Sequence, residues 1–355
     1  MPNKEPSATV GADLPDAAAP ARRVRGGPKG LRITDVAAQA GVAPITVSRV
    51  FNSPETVAPE TLERVRQVVQ KLGYVPNRLA GGLSSSRSRL IAAIVPTIAH
   101  SLFSDTIQVF SEAMSRAGYQ VLLALSGYDG SSEEALLDAV LSRRPEGVLL
   151  TGVAHTDSLR ARLANVGIPI VETWDMTEQP IDMLVGFSHY QTGVAVAEHF
   201  LQTNRRKPAL VSANDERALA RRRGFRERLA RAGIDDIPEV LVAPPSSVAI
   251  GKAALPRLIE EARHIDAVFC GSDLLAIGAL SAARQLGLSV PSQLAICGFG
   301  DLEFATETTP QLTSVHVDGT RIGLTAARCL LDRLAGSAQN KVTDVGFGII
   351  RRATT

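Results

Sequence analysis

The chain contains 355 residues, of which 45% are hydrophobic and 21% charged, and its formal net charge is +2. This length predicts two or three domains, and the composition excludes a disordered chain. The best candidate for a membrane span, Leu90–Val95, stops at Pro96. It falls far short of the roughly 18 residues that a transmembrane helix needs. The N-terminus also lacks the apolar core of a secretory signal, so we expect neither a membrane protein nor a secreted one.

The three cysteines, Cys270, Cys297 and Cys329, all lie in apolar surroundings. They suit neither a disulfide framework nor a zinc quartet, which favours a reduced, cytosolic compartment.

The charges are unevenly distributed along the chain. Residues 1–89 carry 13 lysines and arginines against seven acidic residues, whereas the other residues carry 25 against 29. A basic N-terminal region on a mildly acidic body indicates that this region binds phosphate groups. A solvated basic surface is the alternative interpretation.

The first 30 residues are rich in Ala, Pro and Gly and show no periodic apolar pattern, which predicts a disordered extension.

The pattern of residues 31–75 predicts three short helices. Thr34 is placed as the cap of the first helix, which stops at Gly41. The second begins at Pro44, and the third runs from near Pro59 to Gly73. Two helices joined by a tight glycine turn are typical of a helix-turn-helix domain.

Residues 76–89 contain two adjacent glycines and four serines, which predict a linker or a marginal helix. From Leu90 onward, short apolar strands alternate with helices, so we expect parallel sheets covered on both faces. The body is long enough for two lobes, one from 89–187 with the stretch after about 318, the other from 188–317. Ligands of such folds bind beyond the C-terminal ends of the strands. The predicted strands are Leu90–Val95, Gln120–Leu125, Val148–Leu150, Ile168–Val171, Ala209–Val211, Ala267–Cys270 and Leu294–Cys297.

The stretch ITDVAAQAGVAPITVSRVFN, residues 33–52, is followed by LGYVPNR at 72–78. These motifs, in this order and at this spacing, resemble the DNA-binding headpiece of the lac/galactose repressor family. The resemblance continues to Arg351–Thr354 and leaves only the first 30 residues outside it. It implies a helix-turn-helix headpiece (31–78), a hinge (79–88) and a two-lobed α/β effector domain (89–355) similar to periplasmic binding proteins.

The resemblance also implies which residues meet DNA. The second helix is the recognition helix, and the fork of Arg49 matches the acceptors of guanine. A surface salt bridge between Arg49 and Glu55 is the alternative. Leu83 corresponds to a leucine that wedges into the minor groove, unless the hinge is a passive tether. Ala43 replaces the usual serine cap of this helix. The implied DNA-binding residues are Thr34, Pro44, Ile45, Thr46, Ser48, Arg49, Asn52, Asn77 and Leu83.

In the body, Arg221 stands where the family places an arginine on the oxygens of its ligand. Arg222 and Arg223 follow it, so a solvated basic face is the alternative. Asp273 stands next to the family's ligand, although it is also a candidate helix cap. The implied effector-binding residues are Phe103, Trp174, Arg221, Ser246, Ser272 and Asp273.

Several departures from the family pattern favour an anionic ligand. Trp174 and Gly300 stand where many members have an aspartate, and Ser246 and Ser247 replace an aromatic platform. A cleft with an arginine, hydroxyls and fewer acids suits a sugar acid such as gluconate, unless Glu172 faces the ligand and repels it. The segments 167–172, 185–187 and 344–347 resemble those of the gluconate repressor group.

Catalytic patterns are missing: the six histidines are scattered, and the sequence has no zinc-protease, Walker or nucleophile-elbow motif. We therefore expect no enzyme, no cofactor and no metal. The resemblance implies a transcriptional repressor that binds double-stranded operator DNA as a homodimer at the nucleoid, controlled by a small carbohydrate. The alternative is a sugar-binding receptor without a DNA function, which would have no use for residues 31–83.

Overall fold

The computed structural model describes residues 31–75, 88–98, 103–128, 133–262, 264–337 and 341–355. These residues divide into two compact units, the headpiece up to residue 75 and the body from residue 88. The predicted extension (1–30), nearly all of the predicted hinge, and the predicted DNA-binding residues Asn77 and Leu83 lie outside the described residues.

The headpiece consists of α1 (Ile33–Ala40), α2 (Pro44–Asn52) and α3 (Pro59–Leu72), as predicted. Gly41 and Gly73 end α1 and α3 in the left-handed region, at φ +65° and +63°. A residue without a Cβ atom adopts this conformation without strain. The three helices enclose a small aliphatic core of Val36, Ala37, Ala40, Val47, Val50, Val65 and Tyr74.

The start of α1 differs from the prediction. The helix begins at Ile33, and Arg32 occupies the N-cap position. The carboxylate of Asp35 accepts a hydrogen bond from the Arg32 N–H at 2.7 Å. The capping role predicted for Thr34 is wrong, because the charged acceptor of Asp35 already ties down the residue that precedes the helix.

The body is built from two six-stranded sheets. The first sheet has the order β11-β5-β4-β3-β1-β2, and all its strands are parallel. The second has the order β12-β10-β9-β8-β6-β7, in which only β12 is antiparallel to its neighbour. The strands are β1 (Leu90–Val95), β2 (Gln120–Leu125), β3 (Gly147–Thr151), β4 (Ile170–Thr173), β5 (Met183–Gly186), β6 (Pro208–Ala213), β7 (Glu239–Val242), β8 (Ala267–Cys270), β9 (Ala295–Gly300), β10 (Thr313–His316), β11 (Val342–Asp344) and β12 (Gly348–Ile350).

Helices cover both faces of these sheets. In β1, Ile91 and Ala93 belong to one buried cluster, whereas Ala92 and Ile94 belong to another. Because successive side chains of a strand point to opposite faces, both faces of the sheet are buried, as predicted for parallel strands. The helices of the body are α4 (Ser104–Arg116), α5 (Glu133–Leu141), α6 (Asp157–Val166), α7 (His189–Gln202), α8 (Glu216–Ala230), α9 (Val248–Glu261), α10 (Asp273–Gln285) and α11 (Gly319–Leu334). None of the helices described here is long and apolar enough to cross a bilayer.

The last strands divide between the lobes. The prediction that everything after about residue 318 joins the first lobe holds for α11, which packs on α4, and for β11. It is wrong for β12, which pairs with β10 of the second sheet. Beyond β12, the Thr354 hydroxyl donates to the Ile296 carbonyl at 2.7 Å and fixes the end of the chain to the second lobe.

Helices α7 and α8 pack backbone against backbone. A Cβ atom on Gly193 of α7 would lie 1.9 Å from the Arg221 carbonyl oxygen, and one on Gly224 of α8 would lie 2.0 Å from that of Tyr190. Only glycine permits this approach. The contact fixes the position of α8, the helix that carries Arg221.

Candidate nucleic-acid interface and ligand cleft

Helix α2 has a buried face and an exposed one. Val47 and Val50 pack into the headpiece core, whereas Pro44, Ile45 and Arg49 are exposed. The Ile45 side chain is 60% exposed even though it is apolar. Pro44 is the first residue of the helix, where its missing N–H costs no hydrogen bond, and Ala43 before it provides no side-chain cap.

The polar residues predicted to contact DNA are exposed or half-buried. Thr34 and Asn52 are exposed, and Thr46 and Ser48 are half-buried. The Asn52 side-chain amide donates to the Ser48 hydroxyl at 3.2 Å. Within the described part of the chain, Arg49 forms no ion pair with Glu55, so its guanidinium is available to a partner.

The main cavity of the body lies at the C-terminal ends of the strands, as predicted. Its walls come from the segments after β2, β4, β6, β7, β8 and β9, together with the first turn of α7 and the first two turns of α8. Five of the six predicted effector-binding residues line it together: Phe103, Trp174, Arg221, Ser246 and Ser272.

The Arg221 side chain is buried in the cavity wall, with 6% of the residue exposed. One terminal nitrogen, Nη1, lies 2.8 Å from Nδ1 of His189, and the other donates to the Gly271 carbonyl at 3.2 Å. The guanidinium carbon lies 4.1 Å from the ring centre of Phe299. Burial lowers the Arg221 pKa to about 10, which leaves the group cationic at neutral pH. Arg222 instead bonds Glu239 at 2.7 Å and does not line the cavity.

No motif in the sequence marks His189, which orients both Arg221 and Trp174. Arg221 has only donors, so Nδ1 of His189 must accept, and Nε2 must carry the proton that it donates to the Trp174 carbonyl at 2.9 Å. Burial, together with Arg221 and Arg217, holds the His189 pKa well below its ordinary value. The imidazole is therefore a neutral partner of the arginine.

Trp174 adopts a left-handed backbone conformation, φ +65°, which is strained for a bulky residue. Besides the bond from His189, its backbone N–H donates to the Val185 carbonyl at 3.2 Å. Its indole N–H donates to the Thr106 hydroxyl at 3.1 Å. Its ring stands edge-on to Phe103, with the ring centres 5.2 Å apart. These contacts hold the ring as a fixed wall of the cavity.

Arg217 and Asp215 also line the cavity, although neither was among the predicted effector-binding residues. The Arg217 guanidinium lies 5.2 Å from the ring centre of Phe103 and 3.9 Å from the Asp215 carboxylate. Asp215 also caps α8 by accepting the Ala218 N–H. One signal was present: Arg217 precedes Arg221 by four residues, and such pairs share one face of a helix.

Asp273, the sixth predicted residue, does not line the cavity and does not cap α10. The cap is the hydroxyl of Ser272, which accepts the Leu275 N–H at 3.3 Å. Asp273 is fully buried, and its carboxylate accepts the Leu302 N–H at 2.7 Å and the Ser314 hydroxyl at 2.5 Å. One residue further along a helix turns the side chain by about 100°, away from the cleft.

Glu172 would repel an anionic ligand if it faced the cleft, but it does not line the cavity. It is fully buried, accepts the Ile181 N–H at 2.7 Å, and lies 3.7 Å from Arg160. Burial raises its pKa. The residue therefore does not oppose a negatively charged ligand.

Comparisons with known proteins agree with this architecture. Residues 32–77 match the family described as bacterial regulatory proteins, lacI family, and residues 197–355 match the periplasmic binding protein-like domain. The HTH-type transcriptional regulator GntR of Pseudomonas aeruginosa is 38% identical over 326 residues, which cover 91% of this chain and 95% of that protein.

Two solved structures are similar over nearly the whole chain. A LacI family transcriptional regulator from Silicibacter pomeroyi has a TM-score of 0.86 and 29% identity, covering 91% of this chain and 99% of that one. The lac repressor dimer bound to operator and the anti-inducer ONPF has a TM-score of 0.78 and 25% identity, covering 92% and 99%. With its helix-turn-helix headpiece and two-lobed cleft, this chain belongs to the lacI family of bacterial transcriptional regulators.

Proposed function

We propose that this DNA-binding regulator is a repressor that binds operator DNA as a homodimer and is controlled by a small sugar acid. Gluconate or a close relative is the best candidate. The lac repressor, similar over 92% of this chain, has been solved as a dimer on its operator. The sugar acid is supported by the segments that resemble the gluconate repressor group and by the chemistry of the cavity.

The observation that carries the proposal is the buried guanidinium of Arg221, whose hydrogen-bond partners among the described residues are the neutral His189 ring and the Gly271 carbonyl. A buried charge without a counter-charge is costly. The cavity wall also carries Arg217 and Asp215, which lie close to each other and offset one another. Asp215 and Asp175 act on Arg221 electrostatically, but no carboxylate of the described residues forms an ion pair with it, so the carboxylate of a ligand would be its direct partner.

The rest of the cavity wall supports a polyhydroxylated ligand. Ser246 and Ser272 bring hydroxyl groups to the wall, and Trp174 and Phe299 supply apolar faces for the carbon chain. A ligand held between the two lobes stabilises the arrangement in which both contact it. Binding of this kind shifts the population between a DNA-binding state and a released state.

Calorimetry tests the proposal directly. Gluconate is expected to bind the wild-type protein and to lose affinity by about 100-fold in Arg221→Ala, because a charge-assisted, bidentate contact is removed. Arg222→Ala is the matched control, since it removes the same charge from the same helix at a side chain paired with Glu239. Tight binding of a neutral hexose or a purine, without a response to sugar acids, would overturn the sugar-acid proposal.

A further inference from the structure

A second chamber lies against the first sheet, next to the main cavity. Its walls come from the segments that follow β1, β2, β3 and β4, and from the start of α8. Tyr128, Asp215 and Arg217 line both spaces, so the two chambers adjoin at these three side chains. Arg217 stands at this shared boundary, four residues before Arg221.

The second chamber differs from the main cavity in charge. Arg221, Ser246 and Ser272 line only the main cavity, whereas Asp175, Glu216 and Thr151 line only the second chamber. Carboxylates accept hydrogen bonds from hydroxyl groups and repel another carboxylate. The main cavity therefore suits the acid end of a ligand, and the second chamber suits hydroxyl groups.

The position of Asp175 is fixed by its surroundings. Gly186 of β5 permits the backbone of Asp175 to approach so closely that a Cβ atom would lie 2.0 Å from the Asp175 carbonyl oxygen. The preceding residue, Trp174, is held by its three hydrogen bonds. One carboxylate oxygen of Asp175 accepts the Met176 N–H at 2.8 Å, which orients the group. A preorganised carboxylate of this kind binds a hydroxyl without paying to order its own side chain.

From this arrangement we infer that the second chamber binds the hydroxyl-bearing tail of the ligand while Arg221 holds its carboxylate, and that Asp175 selects for tail length. This inference rests on the proposed function, since it assumes a sugar acid in the cleft. It adds the direction in which the ligand lies and the residue that distinguishes a long acid from a short one.

Binding measurements can distinguish a ligand-binding role of Asp175 from a purely structural one. Toward an acid with a long hydroxylated tail, the carboxylate is a hydrogen-bond acceptor. Toward a short acid that does not reach the second chamber, it is only a like charge. Asp175→Asn should therefore weaken binding of the long acid and leave binding of the short acid unchanged or stronger, whereas a damaged cleft weakens both.

The experiment measures the dissociation constants of glycerate, erythronate and gluconate by calorimetry. In the wild-type protein, affinity should rise with the number of hydroxyl groups. Asp175→Asn should lower gluconate affinity by about tenfold, since a charge-assisted hydrogen bond becomes a neutral one, without lowering glycerate affinity. Thr151→Val, which removes a hydroxyl of the second chamber at nearly constant volume, should show the same selectivity with a smaller loss.

Glu178→Gln is the control, because Glu178 is an exposed acid of the same loop that lines neither chamber. The inference is overturned if Asp175→Asn and Thr151→Val leave gluconate affinity unchanged, or lower the affinities of all three acids equally. Loss of gluconate binding in Arg221→Ala alongside either of those results would leave the proposed function standing. No binding of any of the three acids to the wild-type protein would overturn both.

Discussion

The headpiece and the body differ in how the backbone N–H groups at the starts of their helices are hydrogen-bonded. The helices α1, α2 and α3 begin after Arg32, Ala43 and Ala58, and no side chain of these residues caps them. In the body, six helices begin with a side-chain oxygen that accepts a backbone N–H: Thr156, Ser188, Asp215, Ser247, Ser272 and Asp318. Most helices of the body, although not α4, are therefore capped by a side chain, whereas α2 and α3 of the headpiece are not.

The same contrast holds for the functional side chains. On α2 of the headpiece, Arg49 and Ile45 are exposed, and Arg49 has no ionic partner among the described residues. In the body, Arg221 and His189 are buried and hydrogen-bonded to each other. The exposed groups of the headpiece are available to bind a large, hydrated polyanion. The groups of the cleft are instead held in place by hydrogen bonds before a small ligand binds.

The largest effect is expected from a pair of glycine substitutions, one in each unit. Gly193→Ala should destabilise the body by about 3 kcal/mol or more, because its Cβ atom would overlap the Arg221 backbone and force α7 and α8 apart. Gly41→Ala should cost only about 1 kcal/mol, since nothing lies within 4 Å and only the left-handed backbone is strained. Urea unfolding of the full chain measures both.

Ligand binding separates the two substitutions further. Gly193→Ala should also abolish binding of the proposed ligand, gluconate, because α8 carries Arg217 and Arg221, whereas Gly41→Ala should leave this binding intact. Equal losses of stability in the two variants would contradict the view that the body is the more tightly packed unit.

Arg49→Ala should weaken binding to the operator by about 1–3 kcal/mol per half-site and weaken binding to random duplex far less. Arg66→Ala, which removes an exposed charge on α3, should lower both affinities by similar, smaller factors. Gel-shift titrations at one fixed salt concentration give the two ratios. If Arg49→Ala lowers both affinities equally, the arginine contacts phosphate and does not read a base.

Local signals explain what the sequence predicted. The headpiece helices follow from apolar spacing and from Gly41 and Gly73, and strands such as β1 and β8 follow from short apolar runs. The position of β12 did not follow, because a three-residue strand at a sheet edge has no pattern of its own. Its partner β10 lies more than 30 residues earlier in the chain.

The cleft was predicted where a motif marked it and missed where only the tertiary structure assembles it. Arg221 follows from its motif, whereas His189 gains its role from contacts with Arg221 and Trp174 across two segments of the chain. Asp273 was wrongly predicted to line the cleft, because a position in the motif does not determine which way the side chain points. Its neighbour Ser272 faces the cleft, and Gly298 leaves room for the Asp273 carboxylate behind it, where a Cβ atom would be 2.2 Å away.

The buried carboxyl group of Asp273 should make the free energy of unfolding of the body depend on pH. Burial raises its pKa to about 6 from an ordinary value of 3.8, so the folded chain holds the proton more tightly than the unfolded chain. The free energy of unfolding should therefore fall as the pH rises from about 4 to about 6, by about 2 kcal/mol from this group, and not change above that range. Asp273→Asn should remove this slope.

Urea unfolding at several pH values measures the slope, and Asp235→Asn, at an exposed carboxyl, is the control that should leave it unchanged. An unfolding free energy that rises between pH 4 and pH 6, by an amount that Asp273→Asn abolishes, would mean that hydrogen bonds from Leu302 and Ser314 outweigh the burial of the charge.

The smallest effect tests the helix caps. Ala43→Ser should stabilise the headpiece by about 1 kcal/mol, because a serine hydroxyl at the N-cap of α2 accepts a backbone N–H that no side chain now reaches. Ser272→Ala should destabilise the body by a similar amount, since it removes the hydroxyl that accepts the Leu275 N–H. Hydrogen exchange of the amides in the first turns of α2 and α10 resolves the two changes within one protein. If Ala43→Ser leaves exchange in α2 unchanged, the bare start of that helix is not a weak point of the headpiece, and its contrast with the capped helices of the body has no energetic consequence.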